Sequence, residues 1–218
     1  RIVRDAGIPT APFAVVRSPQ DADRVGIKAP LFVKPLAEGS SKGVSARSIV
    51  KRTRDLPARC RELLLDFPGG LLVEELLPGR EVTVGVLGNG ADARAIAVME
   101  MVWTARAETA AYTALNKDEY LDRMQYRLVQ GEPLAEEAAD LAVAVARTLE
   151  CRDACRVDLR CNAAGRLAFL EVNPLPGLHP VRSDLPIMAR LAGVGYDDLL
   201  GAIIGAAVVR AGVCERAA

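Results

Sequence analysis

The sequence predicts a mixed α+β protein, in which short hairpins and helices are interspersed without the regular alternation of a parallel sheet. Three observations support this class. The segment 155–173 has two alternating strands joined by a turn that contains Gly165. The segment 133–150 repeats apolar residues at helical spacing. Other strand-like runs, such as 31–35 and 81–87, are short and are separated by Gly, Pro and Ser.

The chain opens on residues 1–6, which resemble the last turns of a helix that ends at Gly7, with Pro9 just beyond. A protein seldom starts inside the last turn of a helix, so we expect an upstream portion to be missing from this sequence. A strand is predicted at 10–16, and Ser18 followed by Pro19 has the residues of a helix start.

A loop rich in glycine and serine follows the predicted strand 31–35, which ends on Lys34-Pro35. Backbone N–H groups and hydroxyls at such density can close over phosphate oxygens, with lysine as a point charge. The pattern G-x-x-x-x-G-K-[ST] is absent, and residues 44–47 predict a strand rather than a helix, which excludes a Walker loop. The alternative is an ordinary hairpin turn. The loop residues are Gly39, Ser40, Ser41 and Gly43.

A helix is predicted at 52–66, followed by strands at 71–77 and 81–87. Glu74 and Glu81 lie on either side of the connection between these strands, as expected at a cleft between two lobes. The alternative is a pair of solvated acids at strand ends.

A polar segment without periodicity, 104–130, follows a further strand at 95–101. A loop of that length predicts a functional lid or a disordered segment. Beyond the helix at 133–150 and the hairpin, further helices are predicted at 183–191 and 196–211.

Side chains on a strand alternate between faces, so Arg156, Asp158 and Arg160 share one face of the hairpin. On the return strand Glu171 and Asn173 share a face, and the other face carries Ala168, Leu170 and Val172. Hard oxygen ligands without His or Cys suit magnesium. Because the strand leaves through E-V-N-P and then P-G, we favour a metal site over a solvated polar face; its ligands are Asp158, Glu171 and Asn173.

Composition excludes several classes of partner. Lys plus Arg equals Asp plus Glu, at 28 each, and aromatic residues make up 4%, so neither charge nor base stacking predicts nucleic-acid or membrane binding. No run reaches the roughly 20 apolar residues of a membrane span, and no signal peptide opens the chain. Five cysteines without a C-x-x-C pair, and a single histidine, argue against zinc and predict a reducing cytoplasm.

Three motifs stand in order along the chain: F-V-K-P…E-G-S-S-K-G-V, then L-V-E-E-L-L-P-G-R-E-V, then R-V-D…F-L-E-V-N-P…P-G-L. Together they resemble the ATP-grasp ligases, and within them the D-alanine–D-alanine ligase family. The resemblance implies two α+β lobes with the nucleotide bound between them. It assigns 1–80 to the central lobe and 81–218 to the C-terminal lobe, with the lid at 104–130 and the metal hairpin at 155–173.

The resemblance also implies roles for single residues in ATP binding. Lys34 and the glycine- and serine-rich loop hold the phosphates, and Lys117 of the lid reaches the terminal phosphate. Glu74 faces the adenine amino group, and Glu81 holds the ribose hydroxyls. The implied ATP-binding set is Lys34, Gly39, Ser40, Ser41, Gly43, Glu74, Glu75, Leu77, Glu81 and Lys117.

For the reaction itself, the resemblance implies catalytic roles for Arg156, the N–H of Gly177, and Ser40 of the phosphate loop. Arg156 and Gly177 stabilise negative charge on the phosphoryl group and the tetrahedral intermediate. Ser183 binds the carboxylate of the second substrate. The metal hairpin holds Mg2+, with Mn2+ as the alternative.

The implied function is an ATP- and magnesium-dependent ligase that forms an acyl phosphate and joins two D-alanines for peptidoglycan precursors. Two alternatives stay open: a ligase for a different amino-acid pair, and a nucleotide-binding fragment without activity. The sequence departs from the family where Tyr112 lacks a second tyrosine two residues later, at Pro174, and in a segment 177–186 that is one residue longer. We expect small amino-acid substrates and a homodimer formed through the missing portion.

Overall fold

A computed structural model of the chain describes residues 1–39, 41–103 and 124–213. The strands are β1 (Phe13–Val16), β2 (Leu31–Pro35), β3 (Ile49–Val50), β4 (Leu71–Glu75), β5 (Glu81–Leu87), β6 (Arg94–Trp103), β7 (Met124–Leu128), β8 (Ala154–Cys161) and β9 (Leu167–Asn173). The helices are α1 (Ile2–Asp5), α2 (Pro19–Ala22), α3 (Leu56–Asp66), α4 (Pro133–Thr148), α5 (Asp184–Leu191) and α6 (Tyr196–Arg210).

The chain divides into two compact units. The first comprises Ala11–Pro78 and Val102–Gln125; the second comprises Arg1–Thr10, Gly79–Met101 and Tyr126–Ala218. The lobes implied by the resemblance, 1–80 and 81–218, stay a prediction.

The first unit is built on a sheet with strand order β1-β4-β2-β3. Alternation along β2 and β4 sends Leu31, Val33, Leu71 and Val73 into one apolar core, which α3 covers with Leu56, Cys60 and Leu63. The residues between them therefore lie on the face of the sheet away from this core, and they include Lys34 and Glu74.

The second unit is built on a sheet with strand order β7-β6-β5-β8-β9. On one face α4 packs over apolar residues of β5 and β8, such as Val84 and Val157. On the other face α5 and α6 pack over Leu87, Ala97 and Met99. The side chains of β5 and β8 on this second face that lie outside the apolar contact with α5 and α6 are polar: Glu81, Thr83, Arg156, Asp158 and Arg160. The pairings β1–β4, β2–β3, β2–β4, β5–β6, β5–β8 and β8–β9 are all antiparallel, which confirms the predicted α+β class.

Several predicted elements differ in detail from the structure. The strand predicted at 44–47 is wrong: Ser45 caps a short 3-10 helix at Ala46–Ser48, with its Oγ accepting a hydrogen bond from the N–H of Arg47. The first strand begins at Phe13, and Thr10 makes only an isolated bridge to Phe169. β7 lies inside the segment predicted as a loop, whose residues 104–123 lie outside the described ranges.

The hairpin of β8 and β9 contains a β-bulge. From the turn inward, Cys161 pairs with Leu167 and Leu159 with Phe169, yet Asp158 pairs with Glu171, which leaves Leu170 as the extra residue. The prediction that Ala168 shares a face with Val172 is therefore wrong, because the bulge shifts the alternation by one residue between them.

Among the residues that the structure describes, no single helix has the length and apolar composition of a membrane span; α5 and α6 pass such a test only as a pair bent by 115°. The four cysteines in the same ranges, Cys60, Cys151, Cys155 and Cys161, are free thiols.

An ion-pair network ties the start of β5 to β6, β7 and the start of α4. The carboxylate of Glu100 accepts hydrogen bonds from Arg80 Nε at 2.6 Å and from Arg127 Nε at 2.9 Å. Both arginines also contact Glu132, at 2.8 and 3.0 Å. Hydrogen bonding by Arg80, and less by Arg127, lowers the pKa of Glu100 although its burial acts in the opposite direction.

This network predicts a dependence of stability on pH. Because the pKa of Glu100 is lower in the folded protein than in the unfolded chain, its contribution is complete above about pH 4.3 and is lost as the pH falls further. We expect Glu100→Gln to lower the free energy of unfolding by about 1.5–3 kcal/mol at neutral pH. The difference from wild type should shrink when denaturant titrations are repeated on acidification. The exposed Glu136→Gln serves as the control, and a difference that is independent of pH would contradict the assignment.

Candidate active site

The polar face of the second unit is organised as rows of directly opposed residues across β5, β8 and β9. Residues that face each other in antiparallel strands project to the same side of the sheet, so each row presents its side chains together. The rows are Gly85–Arg156–Asn173, Thr83–Asp158–Glu171 and Glu81–Arg160–Ala168. Five of the predicted site residues thus lie on one face: Glu81, Arg156, Asp158, Glu171 and Asn173.

The three predicted metal ligands are Asp158, Glu171 and Asn173. Asp158 and Glu171 are opposed across the hairpin, and Asn173 lies one row away, opposite Arg156. Asn173 also accepts the N–H of Leu175 through its Oδ1 at 3.1 Å, which fixes the exit of the strand. Within residues 1–39, 41–103 and 124–213, no three acidic, histidine or cysteine side chains are grouped to hold a metal ion. The predicted set differs from such a group because its third ligand is an amide oxygen, and carboxylate and amide oxygens fit magnesium chemically.

Asp158 is almost buried and has ordered partners on both oxygens. Its Oδ1 accepts the hydroxyl of Thr83 at 2.6 Å and Nε of Arg156 at 3.0 Å, and its Oδ2 accepts Nη2 of Arg156 at 2.8 Å. The guanidinium of Arg156 therefore binds the carboxylate of Asp158 in a bidentate arrangement, which gives strong and well-oriented ion pairs.

Arg156 also contacts a second carboxylate, that of Asp184 at the start of α5, through Nη1 at 2.5 Å. Burial lowers the pKa of Arg156, but the opposing effect of Asp158, Asp184 and Glu171 is larger and raises the pKa above its ordinary value. Arg156 is therefore a permanent positive charge on this face.

Glu81 lies at the far end of the polar face and pairs with Arg160 at 2.8 Å. Burial raises the pKa of Glu81 to about 7, although Arg160 acts in the opposite direction, and the carboxylates of Asp158 and Glu171 raise it further. The acidic groups on this face outnumber the two arginines. A cation bound beside them would relieve their repulsion.

Two predicted substrate-binding residues, Gly177 and Ser183, meet at the entry to α5. A Cβ atom on Gly177 would lie 2.6 Å from Oγ of Ser183, so the two residues are in contact. Oγ of Ser183 accepts the N–H of His179 at 3.0 Å, which closes the turn between them. Ser183 is the N-cap position of α5, and Asp184 follows it directly.

In the first unit, Lys34 and Glu74 are brought together on the sheet face away from the core. Nζ of Lys34 lies 2.9 Å from Oε2 of Glu74, and the two side chains are only 21% and 12% exposed. Beyond Glu74, the N–H of Glu75 donates to the carbonyl of Pro12 at 2.9 Å, and Leu77 is buried. The segment that the resemblance assigns to the adenine is therefore anchored along its length.

The predicted phosphate loop has one position with a strict conformational requirement. Gly43 has φ +78°, and a Cβ atom there would lie 2.6 Å from Pro35 and 2.8 Å from Phe67. A structural need for glycine thus exists at Gly43 whether or not the loop binds phosphate. Gly39 has open space around it, and Ser41 has φ +59°. Ser40 lies outside the described residues, as does Lys117 of the predicted lid.

Four side chains of the polar face are not among the predicted site residues, although alternation places Arg160 on the same face as Arg156 and Asp158. They are Thr83, Tyr126, Arg160 and Asp184. Each contacts a predicted residue or its partner: Thr83 bonds Asp158, Arg160 pairs with Glu81, and the hydroxyl of Tyr126 donates to Asp184 at 2.6 Å. Alternation placed Arg160 on this face from the sequence, and the same rule could have placed Thr83 on the face of Glu81. No local pattern links Tyr126 or Asp184 to Arg156, because these residues are far apart in sequence.

The sequence profile of the family described as "D-ala D-ala ligase C-terminus" matches residues 2–205. The chain belongs to the D-alanine–D-alanine ligase family. Among curated relatives, the D-alanine–D-alanine ligase of Polaromonas sp. (strain JS666 / ATCC BAA-500) is 34% identical over 210 residues, which cover 91% of this chain and 59% of that protein. The uncharacterized protein y4sG of Sinorhizobium fredii is 30% identical and covers 94% of this chain. The chain thus spans about 60% of the length of these family members.

Solved structures of the family share the fold of this chain. The D-alanine–D-alanine ligase of Bacillus anthracis complexed with ATP superposes with a TM-score of 0.69 at 22% identity, covering 95% of this chain and 63% of that one. VanG D-Ala:D-Ser ligase of Enterococcus faecalis superposes with a TM-score of 0.73 at 26% identity, covering 94% of this chain and 59% of that one. The predicted ATP-grasp fold is confirmed.

Proposed function

We propose that this chain is the nucleotide- and metal-binding part of an ATP-dependent carboxylate–amine ligase that joins D-alanine to D-alanine for peptidoglycan precursors. The observation that carries the proposal is the polar face of the second unit, where Arg156, Asp158, Glu171 and Asn173 are in register across β8 and β9. Family membership supports the same activity, since relatives are D-alanine–D-alanine ligases and one solved family member is complexed with ATP.

In this proposal Asp158, Glu171 and Asn173 hold Mg2+, or Mn2+ in its place. When bound, the metal supplies a positive charge that neutralises phosphate oxygens and aligns them for transfer. The residues fit this role because they provide two carboxylates and an amide oxygen on one face that already carries excess acidic groups.

The other side chains bind and orient the nucleotide. Lys34 and the loop of Gly39, Ser40, Ser41 and Gly43 hold the phosphates, with Lys117 on the terminal phosphate. Glu74 accepts a hydrogen bond from the adenine amino group, and the backbone of Glu75 and Leu77 lines the base. Glu81 holds the ribose hydroxyls. The ion pair with Glu74 orients the side chain of Lys34 before the nucleotide binds.

The first carboxylate must be phosphorylated because a carboxylate is a poor electrophile. Direct attack by an amine would have to expel an oxide, which is a very poor leaving group. Transfer of the terminal phosphoryl group to the first carboxylate gives an acyl phosphate and ADP. The amine of the second amino acid then attacks the acyl carbon and releases phosphate. Arg156 and the N–H of Gly177 stabilise the negative charge of the tetrahedral intermediate, and Ser183 binds the second carboxylate.

A ligase for a different amino-acid pair is the second candidate. Asp184 places a carboxylate directly beside Ser183, the residue assigned to the second substrate, and one solved neighbour is a D-Ala:D-Ser ligase. We propose small amino acids as partners in either case, and a cytoplasmic location, which the free thiols support.

Phosphate release from ATP by the full-length protein tests the proposed function. We expect release to require both Mg2+ and D-alanine, with other amino acids tested in parallel as acceptors. A second measurement separates binding from turnover. Calorimetry of residues 1–218 with Mg2+ and a non-hydrolysable ATP analogue is expected to detect nucleotide binding by this part of the protein alone. Release that continues without an amino acid or without a divalent metal would overturn the ligase assignment. A preference for another acceptor would favour the second candidate.

A further inference from the structure

Asp184 is the first residue of α5, and its carboxylate is 14% exposed. Both of its oxygens are occupied by groups from other elements of the second unit. Oδ1 accepts the hydroxyl of Tyr126 from β7 at 2.6 Å, and Oδ2 accepts Nη1 of Arg156 from β8. A largely buried carboxylate with two directed donors is held in one orientation, and it holds its donors in turn.

Arg156 therefore lies between two carboxylates that it contacts through different edges of its planar group. Nε and Nη2 grip Asp158, while Nη1 bonds Asp184. Because the guanidinium is rigid, the contact with Asp184 fixes the plane in which Nε and Nη2 point.

The two carboxylates have different prospects under the proposed function, on which this inference rests. Asp158 is assigned to the metal, so a bound cation competes with Arg156 for its oxygens. Asp184 is not a metal ligand in this proposal: it is the first residue of α5, and its carboxylate also accepts the hydroxyl of Tyr126. When Asp158 turns to the metal, Asp184 remains the anionic partner that keeps Arg156 in place.

We propose that Asp184 is a positioning residue, which together with Tyr126 holds Arg156 in orientation and weakens its competition with the metal for Asp158. Without Asp184, Arg156 pairs with Asp158 alone, and that single pair becomes tighter and opposes metal binding. The chain thus uses one carboxylate to bind the metal and a second carboxylate to hold the arginine.

The test compares Asp184→Asn with wild type in the full-length protein, with two readouts. In the presence of a non-hydrolysable ATP analogue, Mn2+ affinity measured by electron paramagnetic resonance should weaken about tenfold. In turnover, kcat should fall about 10- to 100-fold, as for other groups that orient a metal site, while KM for ATP changes little. Tyr126→Phe should shift both readouts in the same direction by a smaller factor, and Asp184→Glu should restore part of the loss.

Asp197→Asn is the matched control, because Asp197 is an exposed acid in the first turn of α6, and it should leave both readouts unchanged. The double variant Asp184→Asn with Arg156→Lys should lose no more activity than Arg156→Lys alone. Additive losses, or an unchanged Mn2+ affinity in Asp184→Asn, would overturn the positioning role. If wild type itself binds no metal–nucleotide complex, the proposed function fails instead, so the two outcomes are distinguishable.

Discussion

Replacing Glu171 with glutamine is expected to lower Mg2+-dependent phosphate release by the full-length protein about 1,000-fold or more. Glutamine keeps the size and one oxygen of the side chain but removes the negative charge that the metal requires. Charge stabilisation by a bound metal is worth several kcal/mol, and each 1.36 kcal/mol corresponds to a factor of ten in rate. The measurement is kcat from phosphate release at saturating Mg2+, ATP and D-alanine.

Stability should be nearly unaffected in the same variant, because Glu171 is exposed and surface substitutions usually change the free energy of unfolding by less than about 0.5 kcal/mol. Glu137→Gln, at an exposed position of α4, makes the same chemical change away from the site and should retain full activity. Activity of Glu171→Gln within a few fold of wild type would count decisively against a metal site on this hairpin.

Replacing Gly85 with valine is expected to lower the free energy of unfolding by about 1–3 kcal/mol and to reduce activity with it. A Cβ atom at Gly85 would lie 2.7 Å from Sδ of Met188 and 2.8 Å from Cδ1 of Leu185, both on α5. The preference of valine for strands contributes up to about 1 kcal/mol of stability. Overpacking against α5 costs about 1–3 kcal/mol and therefore outweighs it. The helix must move outward, and Asp184 at its first residue moves with it.

Thermal unfolding with and without Mg2+ and an ATP analogue checks this prediction. For a chain of this length the expected loss corresponds to a melting temperature lower by roughly 2–12 °C. Gly201→Ala is the control of opposite sign: its Cβ position is open space within α6, and alanine stabilises a helix interior by about 0.5–1 kcal/mol. A melting temperature of Gly85→Val equal to wild type would show that α5 does not depend on the missing side chain.

Local pattern predicted the strands and helices well wherever the apolar residues follow the period of the element. β2, β5 and the hairpin were predicted nearly residue for residue, since their apolar positions alternate and their ends carry Pro, Gly or Asn. Pattern failed at residues 44–47, where the side chains of Ser45 and Ser48 bond the backbone and form a 3-10 turn in place of a strand.

The predicted metal face illustrates both the strength and the weakness of reasoning from alternation. Alternation grouped Arg156 with Asp158, and Glu171 with Asn173, and both groupings hold in the structure. It could not show which face of β8 the second group joins, since a bulge leaves no mark in the spacing of residues. Contacts such as Thr83 with Asp158 depend on the register of distant strands, which only the folded chain defines.

The bulge at Leu170 has a consequence for how this strand divides its tasks. Counted from the turn without the extra residue, Glu171 would face Val157 and the apolar core under α4. The insertion resets the phase, so the tip half of β9 anchors the hairpin with Leu167 and Phe169 while the other half presents acid and amide groups. The single extra residue of the bulge thus lets one strand pack into the apolar core near the turn and present polar side chains on the opposite face at its other end.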